Sequence, residues 1–392
     1  IRDRHTDYEN FPVINAKAHN NSIIYEHAGT LHMYDANSGN DKKLTLTITT
    51  DLLELRERYV SGQEYVRSGN ISPSGARVVL DFRGDIVTLP ANKGDVKNLT
   101  QTTGVHEKFP AWSPDGKSIA YFSDASGEYA LHVQNTTNGN VKKIELPGTG
   151  FYGNIHWSPD SKKVSYVDNG RNLYVTDVTT SKTTQSDQDE MFFPGDIREL
   201  FSDWSFDSNW IAYTKIIDTN FEKAYLYSLT ENKSYELTDG LSNVTSPVFD
   251  PSGKYIYLLA STDAGPLVNW FDQSSIDKVL TTSIYLITLQ ADVVSPLKKE
   301  NDEEKGEAAK EEEEKESSSK KGKKEETPTK RLRIDWSGIQ NRMLALPVEA
   351  GLYSNLNAVN DGELYYLSTD LYDSDSHLYK FTFEEREAEE LM

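Results

Sequence analysis

Five charged side chains are the candidates for chemistry in this 392-residue chain. Arg67 lies in Tyr65-Val66-Arg67-Ser68-Gly69, Arg83 in Phe82-Arg83-Gly84-Asp85, and His106, Glu107 and Lys108 run together in Val105-His106-Glu107-Lys108-Phe109. His106-Glu107 opens like a zinc-binding helix, but no second histidine follows, and Pro110 interrupts the helix that such a site requires. The chain has no G-x-S-x-G elbow, no G-x-x-x-x-G-K-[ST] phosphate loop and no G-x-G-x-x-G dinucleotide turn. Its eight histidines are scattered, and no serine sits in an activating context. Zero cysteines exclude disulfides and thiolate metal sites. These residues therefore predict no catalytic set, no metal and no cofactor. The five charges could meet a ligand in a channel, although an ordinary solvated loop charge is the favoured reading of each.

A repeat would position them. WSPDGKSIAYFSDASGEYALHV, residues 112–133, is its clearest copy, with relatives at 70–89, 156–178, 203–217 and 248–262. Anchored on Ser72, Ser113, Ser158, Ser205 and Asp250, the copies step by roughly 41, 45, 47 and 45 residues, the period of a four-stranded propeller blade. In Ser113-Pro114-Asp115-Gly116 the proline presets φ, the aspartate suits the third turn position and glycine closes the turn without steric cost. A short β-prone strand, Ser118 to Phe122, follows, then a second turn and Tyr129 to Val133. Degenerate copies at 11–48 and 352–391 bring the number of blades to about seven. A two-sheet sandwich is the competing fold, but sandwiches carry no turn phrase at a fixed period. The expected fold is thus all-β, a seven-bladed β-propeller of four-stranded antiparallel blades. The five candidates fall on the first strands or the connections of the blades, where a propeller lines its axial channel.

The predicted layout is an N-terminal linker over 1–10, blades one to six over 11–297, a disordered charged insertion over 298–331 and the last blade over 332–392. The insertion carries about 12 acids against 11 bases, so the net charge of −21 belongs to the folded part and argues against nucleic acid as a partner. A second irregular piece, GPLVNWFDQSSIDKVL at 265–280, is apolar enough to be a short helix packed on one rim, a flap over the channel mouth or a contact with a neighbouring domain. No apolar run approaches the roughly 18 residues of a membrane span.

Taken in order, the run from Asn70 to Thr102, GVHEKFPAWSPDGKSIAYFSDASGEYALHV, HWSPDSKKVSYVD, LTDGLSNVTSPVFDPSGKYIYLLASTDAGP and the closing IDWSGIQNRMLALPVEAGLY resemble the seven-bladed propeller of bacterial tricorn protease homologs over nearly the whole chain. The turn phrase alone is shared with TolB-like and prolyl-oligopeptidase-type propellers and with WD40-like repeats. The resemblance implies a noncatalytic domain that gates and guides peptide substrates toward a serine peptidase domain, with PDZ and peptidase regions of the same parent chain as partners and possible homo-oligomerisation of the parent. It carries no catalytic residue onto this chain. It also points to the periplasm, with the cytoplasm as the alternative. A stand-alone TolB-like module that binds a protein partner is the rival reading.

Overall fold

Each repeat copy folds as an up-and-down meander, because its strands are short and its turns are too tight for a parallel crossover. A computed structural model describes residues 4–47, 49–51, 53, 56, 62–147, 150–191, 198–262, 279–299, 331–370 and 375–392. The described residues form seven four-stranded antiparallel sheets, the all-β architecture expected from the repeats. The chain divides into two compact units, Ile1–Ser61 and Gly62–Met392.

The first unit holds sheet 1, made of β1 (Val13–His19), β2 (Ser22–His27), β3 (Thr30–Asp35) and β4 (Asp41–Lys43). The segment expected as a linker contributes to it: Tyr8 stacks on His27 at 3.7 Å, and its hydroxyl shares the Asp41 carboxylate with that of Tyr25.

Six sheets make up the second unit. Sheet 2 comprises β5 (Val66–Ile71), β6 (Arg77–Phe82), β7 (Asp85–Pro90) and β8 (Lys97–Asn98), and sheet 3 comprises β9 (Glu107–Trp112), β10 (Ser118–Ser123), β11 (Ala130–Asn135) and β12 (Val141–Ile144). Sheet 4 runs through β13 (Tyr152–Trp157), β14 (Lys163–Asp168), β15 (Asn172–Asp177) and β16 (Lys182–Gln188). Sheet 5 follows with β17 (Phe201–Trp204), β18 (Trp210–Ile216), β19 (Glu222–Ser228) and β20 (Lys233–Glu236). Sheet 6 contains β21 (Asn243–Phe249), β22 (Tyr255–Ser261), β23 (Ser283–Thr288) and β24 (Met343–Ala345), and sheet 7 contains β25 (Leu352–Asn360), β26 (Glu363–Thr369), β27 (Ser376–Thr382) and β28 (Ala388–Glu390).

The boundary of the last blade differs from the sequence expectation. Sheet 7 begins at Leu352, and the stretch from Leu332 belongs to sheet 6, whose fourth strand is Met343–Ala345. Apolar spacing explains the shift, since Leu332 and Ile339 are buried between sheets 5 and 6, with Ile334, Trp336 and Met343 packed against them. The charged insertion therefore falls within the connection between β23 and β24 rather than between two blades. The irregular pieces at 265–280 and 298–331 lie outside the described residues except at 279–280, 298–299 and 331.

Apolar clusters fill the spaces between consecutive sheets of this unit. One joins sheets 2 and 3 through Val79, Ile86, Ile119 and Tyr121, and another joins sheets 3 and 4 through Phe122, Leu131, Tyr152 and Tyr166. Sheets 4 and 5 meet at Leu173, Leu200 and Tyr213, sheets 5 and 6 at Leu226 and Leu258, and sheets 6 and 7 at Leu286 and Phe381. Middle strands are consequently apolar on both faces: Val164, Tyr166 and Val167 of β14 are all fully buried. This face-to-face stacking of meanders is the propeller arrangement.

The turn phrase does structural work at the end of each first strand. Gly116 N–H donates to Ser113 C=O at 2.8 Å, while the Ser113 hydroxyl donates to Asp115 Oδ1 at 2.7 Å and receives Ser118 N–H at 2.9 Å. Sheets 4 and 5 repeat the Ser–Asp bond, Ser158 to Asp160 and Ser205 to Asp207, each at 2.6 Å.

Candidate functional site

The first strand of each sheet in the larger unit carries a break in its pairing register, as at Gly153/His156, Phe201/Asp203 and Ser354/Asn357. Phe109, Asn154, Ser246 and Asn355 adopt left-handed backbone at these breaks, with φ between 51° and 59°. A β-bulge re-aims the side chains beyond it. Ala111, His156, Asp203 and Asn357 are the first residues past their bulges, and they converge, together with Asn70, on one cavity of about 540 Å³. First strands of sheets 2, 3, 4, 5 and 7 thus contribute to a single opening. Its volume is in the ordinary range for ligand sites.

Hydrogen bonds across the first strands fix the walls. Trp157 Nε1–H donates to Ala111 C=O at 3.0 Å and Trp204 Nε1–H to His156 C=O at 3.3 Å, so each indole reaches back to the residue before the preceding sheet's tryptophan. Side chains complete the stitching: Asn70 Oδ1 accepts Trp112 N–H at 3.0 Å and Asp203 Oδ2 accepts Phe249 N–H at 2.8 Å. Asp203 Oδ1 also accepts its neighbour's amide, Trp204 N–H, at 2.8 Å. Apart from its edge on the cavity, the Asp203 carboxyl is enclosed by protein, and this withdrawal from water pushes its pKa up to about 7 against the pull of the two amides and of His156. His156 stacks on Phe201 with centroids 4.2 Å apart, and its Nε2 lies 3.2 Å from Glu199 Oε2.

None of the five sequence candidates lines this cavity. Arg67 stands three residues before Asn70 on β5, His106, Glu107 and Lys108 stand three to five residues before Ala111 at and just ahead of the start of β9, and Arg83 lies in the turn between β6 and β7. Glu107 is buried, its carboxylate oxygens 2.9 and 3.0 Å from Thr102 Oγ1, and burial raises its pKa. Lys108 projects among aromatic rings, its Nζ 4.1 Å from the Tyr129 centroid and 5.1 Å from that of Phe151, and burial lowers its pKa. His106 is exposed, its Nδ1 2.8 Å from Tyr129 Oη and its N–H donating to Asp124 at 2.7 Å. Arg67 and Arg83 are exposed, the latter with its guanidinium carbon 4.7 Å from the Tyr65 ring centre. Arg67, His106 and Lys108 all act on the buried Asp81 carboxyl, which burial nonetheless raises. Glu107 N–H donates to Gly84 C=O at 2.8 Å, so the Arg83-Gly84 turn of sheet 2 is docked on the start of β9.

The cavity residues were readable as a column of the repeat. Asn70, Ala111, His156 and Asp203 each stand two residues before the turn serine, but the bulge that turns this column toward one opening leaves no residue-type signature.

Chemically, the lining offers one carboxylate, amide groups, an imidazole and aromatic faces. Ser202 is its hydroxyl, and among the described residues no hydrogen bond joins it to His156, so the nucleophile–base pair of acyl transfer is missing at this site. No group of three or more His, Cys, Asp or Glu side chains is placed to hold a metal among the described residues.

The sequence profile of the tricorn protease second beta propeller domain matches residues 66–392. The chain belongs to this family. Tricorn protease homolog 1 of Streptomyces coelicolor is 24% identical over 371 residues, covering 92% of this chain and 33% of the relative. The tricorn protease homolog of Saccharolobus solfataricus is 22% identical over 377 residues, covering 93% of this chain and 30% of the relative. The chain thus spans about a third of the length of these curated relatives. The crystal structure of the tricorn protease superposes with a TM-score of 0.64 over 98% of this chain and 36% of that one, at 15% identity, which shows a shared fold.

Proposed function

We propose that this tricorn-family propeller is a noncatalytic access and scaffold domain of a serine peptidase, and that its cavity is part of the path by which unfolded peptides reach a catalytic domain elsewhere in the complete protein. The observation that carries this reading is the cavity itself: in a chain whose residues 66–392 match the tricorn second propeller, first strands of five sheets open onto one space of about 540 Å³. Such a space suits an extended chain and is too small for a folded domain, so it selects by conformation. Rigid walls favour that role, because the stitched first strands hold the opening without reorganisation. Arg67, Arg83 and His106 belong to the same proposal as contacts flanking the path upstream of the cavity.

Side-by-side assays of this chain and the complete gene product test the reading, with an unstructured peptide and a stably folded protein as substrates. The complete product is expected to cut the peptide and spare the folded protein, while this chain cuts neither. Hydrolysis by this chain alone overturns the noncatalytic reading. A complete product without peptidase activity favours a protein-binding module.

A further inference from the structure

The cavity holds one acidic side chain without a fixed counter-charge. Asp203 lines it, no lysine or arginine does, and among the described residues no cationic side chain lies within ion-pair distance of the Asp203 carboxylate. His156 is the one basic group acting on Asp203, and its Nε2 is directed to Glu199. The remaining lining comprises the oxygen-bearing side chains of Asn70, Ser202 and Asn357, the aromatic groups of Trp157, Phe201 and Trp204, and four aliphatic or proline side chains.

A carboxylate, amide oxygens and π-faces around one space form the donor-seeking set that recognises an ammonium or guanidinium. An anion there meets the like charge of Asp203, and a purely apolar ligand strips water from polar walls without replacing it. We propose that this cavity binds the cationic nitrogen group of a peptide, with Asp203 as its counter-ion and Phe201 and Trp204 as its aromatic wall. The proposal rests on the peptide-path reading and gives that path a charge preference. The backbone amides of Phe249 and Trp204 already orient the carboxylate, so little ordering remains to be done on binding. The net charge of −21 adds a long-range attraction for cationic peptides.

Binding is linked to pH through the same carboxyl. Burial favours its protonated form up to about pH 7, and a cation favours the ionised one, so binding displaces a proton from Asp203. The other groups facing Asp203 are His156 on β13, which in turn meets Glu199, and the two amides. Protonation of Asp203 removes the counter-ion, so acidification weakens binding.

Calorimetric titration of this 392-residue chain with three tetrapeptides tests the proposal. One is blocked at both ends and carries a lysine; the second has norleucine in its place; the third has norleucine and a free amino terminus. The lysine peptide is expected to bind about tenfold tighter than the blocked norleucine peptide near pH 8, and to lose about tenfold in affinity near pH 6. The third peptide reports whether a terminal ammonium serves as well as a side chain. In Asp203→Asn the lysine advantage is expected to vanish. Equal affinity of the two blocked peptides for the unsubstituted chain, or no measurable binding of the lysine peptide, overturns the proposal without any need for the variant to fold. Retention of the advantage in folded Asp203→Asn overturns it too. Equal but measurable binding removes the charge preference and leaves the peptide-path reading standing.

Discussion

Asp203 is held by Phe249 N–H and Trp204 N–H while burial raises its pKa to about 7, above its ordinary value of 3.8. A raised folded-state pKa means that the native chain binds the proton more tightly than the unfolded chain. The associated stability is full below about pH 4 and is lost as pH rises toward 7. Asp203→Asn is therefore expected to flatten the fall of Tm between about pH 4 and pH 7; an unchanged slope contradicts the account. Trp157→Phe keeps the ring but strands the buried Ala111 carbonyl, and is expected to cost about 1–2 kcal/mol in urea unfolding. At this scale the sequence was least legible. Glu107 and Lys108 attract attention as charges, yet the fold buries both beside partners on neighbouring segments. Asn70, His156 and Asp203 look unremarkable until a backbone break aims them at one point.

The recurring turn gives a sharper test at the level of elements. Gly116 occupies a left-handed position with φ of 70°, and Ser161 occupies its counterpart in the next sheet with φ of 57°. Serine is tolerated because its Oγ accepts Asp115 N–H across the sheet boundary at 3.1 Å, a bond repeated from Asp160 N–H to Ser208 Oγ at 3.1 Å. Ser161→Gly loses the bond but relieves the backbone, whereas Ser161→Ala loses the bond and keeps the strain. The alanine variant is expected to be less stable than the glycine variant by about 1 kcal/mol, and the reverse order in chemical denaturation contradicts this. Between sheets 4 and 5, Arg198 pairs with the fully buried Asp189 and, at 3.1 Å, with Glu222. Arg198→Ala leaves the buried Asp189 without its cation, and is expected to cost about 3 kcal/mol or more. The elements themselves were largely readable, because turn chemistry and strand propensity agree in the five clear copies of the repeat. The exception was the last boundary: a long charged insertion separates β23 from β24, and three-dimensional pairing rather than local pattern assigns Met343–Ala345 to sheet 6.

At the scale of the whole molecule, we propose that this tricorn-family propeller supplies a path for peptides. Repeat period and turn phrase carried the fold, since stacked meanders of this length have few alternatives. The cavity depends on strand breaks that bring distant copies together, and no single copy contains it. Asn357 is exposed on that cavity, and among the described residues its side chain bonds its near neighbour, Nδ2 to Asn355 C=O at 2.9 Å, so a large residue there narrows the opening with little cost to the fold. The most direct measurement is the rate at which the complete gene product hydrolyses an unstructured peptide of about ten residues, with and without Asn357→Trp, alongside unfolding curves for both. The account predicts at least a severalfold loss of peptide turnover with unchanged stability. Undiminished turnover in a folded variant would show that peptides do not travel through this cavity.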